Sequence, residues 1–171
     1  MASLGHIAVG LAAGRRFSKD ETPPRPFLTM LYFSTLAMAP DLDVLAFRFH
    51  IPYANPFGHR GAAHSLFAAM LIGALLGAVA RFPGASRMRT IAWSIGVVTT
   101  HGLLDAMTNG GLGVALFWPF SAHRYFAPWR PIPVAPIAFG MLSMRGLHVL
   151  LVELIFSLPL LVYALWPRRQ R

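Results

Sequence analysis

A chain of 171 residues that is 56% hydrophobic and 12% charged, with a mean hydropathy of +0.55, is too apolar for a soluble globular domain. Its length suits one domain, residues 1–171, and its long continuous apolar runs argue for an all-α polytopic membrane bundle and against alternating barrel strands. The net charge of +9 does not point to nucleic acid, because the basic residues fall in short loops between apolar runs, where positive charge sets topology.

Residues 1–14 (MASLGHIAVGLAAG) read as a short apolar helix, with Ser3 as N-cap and Gly14 as stop. A signal peptide is a weaker reading, since no Lys or Arg precedes the apolar stretch. At ~1.5 Å per residue this helix is too short to cross a bilayer. Arg15, Arg16, Lys19 and Arg25 make a basic loop, which Pro23, Pro24 and Pro26 stiffen. Four main spans are expected after it, at about 27–47, 62–80, 90–108 and 146–166. Pro40 should kink or loosen the end of the first. Residues 48–61 form a polar connector, and Gly73 and Gly77 in the second span make a GxxxG-type helix-packing face. The longest connector, 109–145, is rich in Gly, Pro and aromatics and is expected to lie at the interface or cap the bundle.

Loop charge gives the orientation. Arg15, Arg16, Lys19, Arg25, Arg81, Arg87, Arg89, Arg168, Arg169 and Arg171 fall on one side, and Arg48, Arg60, Arg124, Arg130 and Arg145 on the other. The richer side should be cytoplasmic.

The chain has six acidic residues, and four of them (Asp41, Asp43, Asp105, Glu153) lie in or at the edge of apolar runs, where charge is costly and marks function. His6, His59, His64 and His101 stand at corresponding ends of other runs, so five segments are expected to bring polar residues to the outer face. His101 and Asp105, four apart, share one helix face and can share one ion; alone, such a pair is more often a simple hydrogen bond. Asp41 and Asp43 would diverge on an ideal helix, but a distortion at Pro40 can turn both inward. His64 is expected in the first turn of the second span, with His59 on the connector before it. Arg60 between them suits a phosphate or carboxylate on a substrate, or else serves topology. Glu153 is open between an outer-shell partner, a general base and a bundle-stabilising acid. His50, His123 and His148 lack acidic neighbours in sequence and read as interfacial. With no cysteine, a metal would be held by His and carboxylate, which favours Zn or another divalent first-row ion.

Together, the N-terminal GH, the APDLD, HRGxxHS and HGLLD elements and the WPFS in the long connector resemble the YdjM family of bacterial inner-membrane proteins, regarded as metal-dependent hydrolases. The resemblance covers nearly the whole chain. It implies that His6, Asp41, Asp43, His59, His64, His101 and Asp105 are the polar motif positions, with Arg60 and Ser65 alongside. The order of Asp, His and HxxxD is also similar to the ligand order of zinc-dependent phospholipase C and P1 nuclease. Their later histidine–glutamate pair has no clean equivalent, because His148 and Glu153 are five apart, so one or two ions are expected rather than three.

The expected function is a multi-pass inner-membrane hydrolase whose His/Asp site holds a divalent metal, with Zn preferred, near the outer face. Asp43 or Glu153 would handle the proton of the attacking water, and Arg60 would stabilise charge on the substrate. Placement at headgroup depth favours a lipid ester or phosphoester as substrate and membrane lipids as partners; no oligomeric state is signalled. The rivals are a transporter using the same polar cluster and a structural or regulatory protein in which that cluster is a hydrogen-bonded plug.

Overall fold

The computed structural model describes residues 4–20, 25–136 and 138–167. Among them are five α-helices: α1 (Leu4–Phe17), α2 (Pro26–Met38), α3 (Leu66–Val79), α4 (Arg87–Ala106) and α5 (Met144–Leu165). These residues form no strand, and two isolated bridges join Thr108 to Ile132 and Val114 to Tyr125. The helix starts follow local chemistry. α2 opens at Pro26, whose fixed φ and missing N–H suit the first helical position. Ser65, Ser86 and Ser143 cap α3, α4 and α5, their Oγ atoms accepting from the N–H groups of Ala68, Arg89 and Gly146 at 3.0–3.2 Å.

α1 packs on α2, α4 and α5, and α3 pairs with α4. The two tightest pairings rest on glycines spaced four apart. A methyl group added at Gly10 or Gly14 of α1 would run into the α2 backbone at Ser34 or Met30, and one at Gly73 or Gly77 of α3 into the α4 backbone at Ile95 or Ile91. Both pairs therefore run antiparallel at close range, the small-residue solution used where apolar burial cannot drive association. Thr29 Oγ1 donates to the Gly14 carbonyl across the first pairing at 2.9 Å. The packing face expected at Gly73 and Gly77 is present; the matching one on α1 was read only as a stop at Gly14, and α1 instead runs through Gly14 to Phe17.

One end of the bundle is apolar and aromatic. Phe17, Phe33, Phe82, Leu36, Ala37, Ala69, Val97 and Val98 make the buried core. Phe17 meets Phe33, Phe82 and Trp93 edge-on, with ring centroids 5.2–6.0 Å apart, and Arg89 lies over its face at 4.2 Å. The polar residues of interest gather at the other end. Between them α5 presents Leu150, Leu151, Leu154, Ile155 and Leu158 outward, a surface suited to lipid.

Among the described residues, two helical stretches are long and apolar enough to cross a membrane, Pro26–Phe49 and Met144–Leu165. This corrects the expectation of four main spans. α3 has 14 residues, ~21 Å of helix against a hydrocarbon core of ~30 Å. α4 has 20 residues but carries Arg87, Arg89, Thr90, Ser94, Thr99, Thr100, His101 and Asp105, which lower its apolarity. The distortion at Pro40 is present: α2 gives way at Ala39 to a 3₁₀ helix that continues to Phe49. The 109–145 connector folds over the polar end, where Val114, Ala115 and Ile132 are buried. Ser3, Pro23, Pro24, Arg168, Arg169 and Arg171 lie outside the described residues.

Replacing Gly10 or Gly14 by Leu should lower the midpoint of thermal unfolding in detergent, since overpacking a tight contact costs about 1–3 kcal/mol and here the obstacle is backbone. Gly96→Ala, whose added methyl meets nothing within 4 Å, should leave the midpoint unchanged or raise it. Equal losses at all three positions would contradict the close helix pairing.

Candidate metal centre

Pro40 shapes the site through what it lacks. Having no N–H, it cannot take the Ala37 carbonyl in the three-residue register that begins at Ala39. His101 Nδ1 lies 2.7 Å from that carbonyl. A carbonyl only accepts, so Nδ1 carries the proton and Nε2 turns a lone pair inward. The 3₁₀ geometry also brings both aspartates onto one histidine, as a distortion at Pro40 was expected to allow. Asp43 Oδ2 is 3.0 Å from His64 Nδ1, and Asp41 Oδ1 is 3.5 Å from His64 Nε2.

Four donor atoms converge from three segments: Asp41 from the 3₁₀ helix, His64 from the turn before α3, and His101 and Asp105 from the last turns of α4. His64 Nε2 lies 3.0 Å from His101 Nε2 and 3.3 Å from Asp105 Oδ2, and Asp41 Oδ1 lies 3.4 Å from His101 Nε2. All four fall within 4.8 Å of one another. Donors held about 2.0–2.1 Å from a tetrahedral ion stand about 3.3–3.4 Å apart, so the spacing fits a small divalent cation. Two imidazole nitrogens face each other at 3.0 Å, and with the His101 proton on Nδ1 its Nε2 turns a lone pair toward His64 Nε2, so a cation, either a metal ion or the proton of a charged His64, belongs between them. The charge agrees: three carboxylates (Asp41, Asp43, Asp105) against one guanidinium (Arg60) leave two negative charges for a cation to offset. Burial alone would suppress charge on His64, yet its contacts with Asp105, Asp41 and Asp43 outweigh that and push its pKa up to about 10. The pocket holds even a proton tightly.

The other expected residues surround this set. Asp43 also binds His59 Nδ1, at 2.6 Å, and accepts from the Arg60 amide at 3.0 Å. It thus orients His64 and His59 from behind, as carboxylates behind metal-bound histidines do. His59 joins Asp41, Asp43 and His64 in a second group of four possible donors. His6 stacks on His101 with ring centroids 3.7 Å apart, and its Nε2 is 3.4 Å from Asp105 Oδ1, so it touches the site without belonging to either group. His64 sits one residue before the α3 cap rather than in the helix, and Ser65 is that cap. Asp41, with 21% of its side chain exposed, is the one donor of the converging four that meets solvent.

Two residues expected in catalysis, Arg60 and Glu153, lie outside the four-donor set. Arg60 is 2% exposed, with Nε 3.1 Å from Asp105 Oδ2 and Nη1 donating to Thr108 Oγ1 at 2.7 Å. It neutralises and fixes Asp105, and an arginine so committed does not face an incoming substrate. Glu153 is buried on the stripe of α5 that includes Gly146, Val149 and Ser157, and belongs to neither donor group. His148 is exposed, so the later His–Glu pair of the phospholipase C and P1 nuclease order is not assembled. His50 and His123 are exposed as well, in keeping with an interfacial place.

Sequence reasoning missed Thr108, three residues beyond Asp105, and Arg124. Arg124 donates to the carbonyls of His59 (3.0 Å), Tyr53 (2.9 Å), Asn55 (3.1 Å) and Gly113 (3.5 Å), tying the His59 loop to the long connector. Nothing local marks it; its partners are far away in the chain.

Comparison with known proteins agrees with the polar motifs. The family model described as YdjM inner membrane protein matches residues 1–170. The chain is 39% identical over 172 residues to "Inner membrane protein YbcI" of Escherichia coli (strain K12), with 98% of each chain covered. No solved structure matches. From the motifs, the family match over almost every residue and this relative, the chain belongs to the YdjM family of inner membrane proteins.

Proposed function

We propose that this protein is a divalent-metal-dependent hydrolase of the inner membrane, acting on an ester or phosphoester of a lipid. The observation that carries the reading is the convergence of Asp41, His64, His101 and Asp105 within 4.8 Å of one another, with His101 Nδ1 already engaged by the Ala37 carbonyl and His64 Nδ1 facing Asp43. These four residues would hold the ion, and His/carboxylate donors suit Zn. Such an ion supplies Lewis-acid activation of water and of the group under attack.

The protein's own residues would do the rest. Asp43 sets the ring orientations of His64 and His59, and Arg60 with Thr108 holds Asp105 at one angle and offsets its charge. Asp41, the accessible carboxylate of the set, is the group placed to take a proton at the mouth of the site, a role first given to Asp43 or Glu153. The charge count favours a single ion over two. Multi-pass insertion with the arginine-rich end in the cytoplasm would put the site near the outer face, where ester and phosphate groups of lipids lie. A transport pathway has less support, since its polar groups would run through the bundle, whereas here an aromatic core fills the opposite end.

Elemental analysis of protein purified without chelator should find close to one divalent metal per chain in the wild type. His101→Ala and Asp41→Ala should lose most of it, and the exposed His123→Ala should not. Unchanged metal content in the first two, or none in the wild type, leaves the cluster as a hydrogen-bonded plug. Asp43→Asn should keep the four donors but weaken metal binding about 10–100-fold in chelator competition. Wild-type affinity in that variant would remove the orienting role.

A further inference from the structure

The end of the bundle away from the His/Asp cluster carries its own cavity, of about 420 Å³. Three arginines line it: Arg25 before α2, Arg81 after α3 and Arg87 at the start of α4. The rest of the lining is Ala80, Phe82, Pro83, Ala85 and Thr90, with no acidic residue. Nearby Asp20 is already shared by Arg16, at 3.1 Å, and Arg89, at 2.9 Å. Arg81 is held in place by its Nη1, which donates to the Ala78 carbonyl at 2.6 Å and the Ala80 carbonyl at 3.2 Å; among the described residues its Nε and Nη2 make no hydrogen bond. Arg87 has no hydrogen-bond or ion-pair partner among those residues.

Loop arginines that only set topology need not share a cavity, and like charges around one space repel. An anion with several acceptor oxygens relieves that repulsion, and guanidinium forks match phosphate geometry. The wall formed by Ala80, Phe82, Pro83 and Ala85 adds an apolar side, so the fitting anion has an apolar part next to its charge. Arg25 immediately precedes the membrane-length Pro26–Phe49 stretch, so the cavity opens where headgroups of that leaflet lie. We propose that this cavity binds a phosphate group, supplied by an anionic phospholipid of the arginine-rich leaflet or by free phosphate, at a site separate from the metal centre.

The test uses the full chain in a mild non-ionic detergent and follows binding of phosphatidylglycerol, phosphatidylcholine and inorganic phosphate by native mass spectrometry and by shifts in thermal unfolding. Phosphatidylglycerol should bind in preference to phosphatidylcholine. Arg81→Gln/Arg87→Gln should weaken its binding roughly thirtyfold, from about one basic residue's worth of surface attraction at each position. Arg87→Gln alone changes an exposed side chain with no hydrogen bond or ion pair among the described residues, so it serves as the variant that spares the packing, with a loss of roughly fivefold. Arg145→Gln, an exposed arginine at the far end, should bind as the wild type does. An equal shift from inorganic phosphate supports the proposal with a free anion as the source. No preference for phosphatidylglycerol together with no phosphate response, or binding indifferent to both arginine variants, overturns it.

Discussion

His64 is the residue through which the polar end of this bundle is held together. Its Nδ1 faces Asp43, and its Nε2 faces Asp41, His101 and Asp105. One ring therefore joins a 3₁₀ helix, the turn before α3 and the end of α4. A histidine at 3% exposure with carboxylates at both nitrogens is tolerable because positive charge on the ring, or on an ion beside it, offsets them. Around that ring, Arg60 balances Asp105, the Ala37 carbonyl takes the His101 proton, and Asp43 ties in His59.

The division of the molecule follows from this. An aromatic core at one end and glycine-mediated helix contacts along the length fix the helices without polar groups, so the other end is free to collect donors. The helix pairs are antiparallel and closely spaced, which brings α1's first turn, α2's last and α4's last to one level. His6 at the start of α1 reaches that level and lies flat against His101. Its place there depends on Gly10 and Gly14, further along the same helix, which let α1 approach α2.

Much of the site was legible because its motifs are local. The spacing of His101 and Asp105 puts both on one face of a helix, and Pro40 between two potential helical turns announces a change of register. The GxxxG pair at Gly73 and Gly77 could be read in the same way. What could not be read depends on distant partners. Arg60 looks like a substrate-facing charge until Asp105 and Thr108, more than forty residues away, are seen to enclose it. The span count failed for a different reason: the expected second span began at Ala62, but Ala62–His64 form a separate 3₁₀ turn and α3 itself has 14 residues. Gly14 likewise carries the signature of a helix end, and only the neighbouring α2 backbone shows it to be a contact point.

Between the 3₁₀ helix that ends at Phe49 and the short one at Ala62–His64, the backbone from His50 to Gly61 runs irregularly alongside the site. Carbonyls of irregular chain need donors, which protein can supply in place of water. Arg124 does so, with one planar group serving carbonyls of Tyr53, Asn55, His59 and Gly113. A lysine, with a single compact point of charge, has no comparable reach. The loop is therefore anchored beside the candidate metal centre even though Ala54 to Phe57 face outward, and of the four converging donors Asp41 is the one left open to solvent.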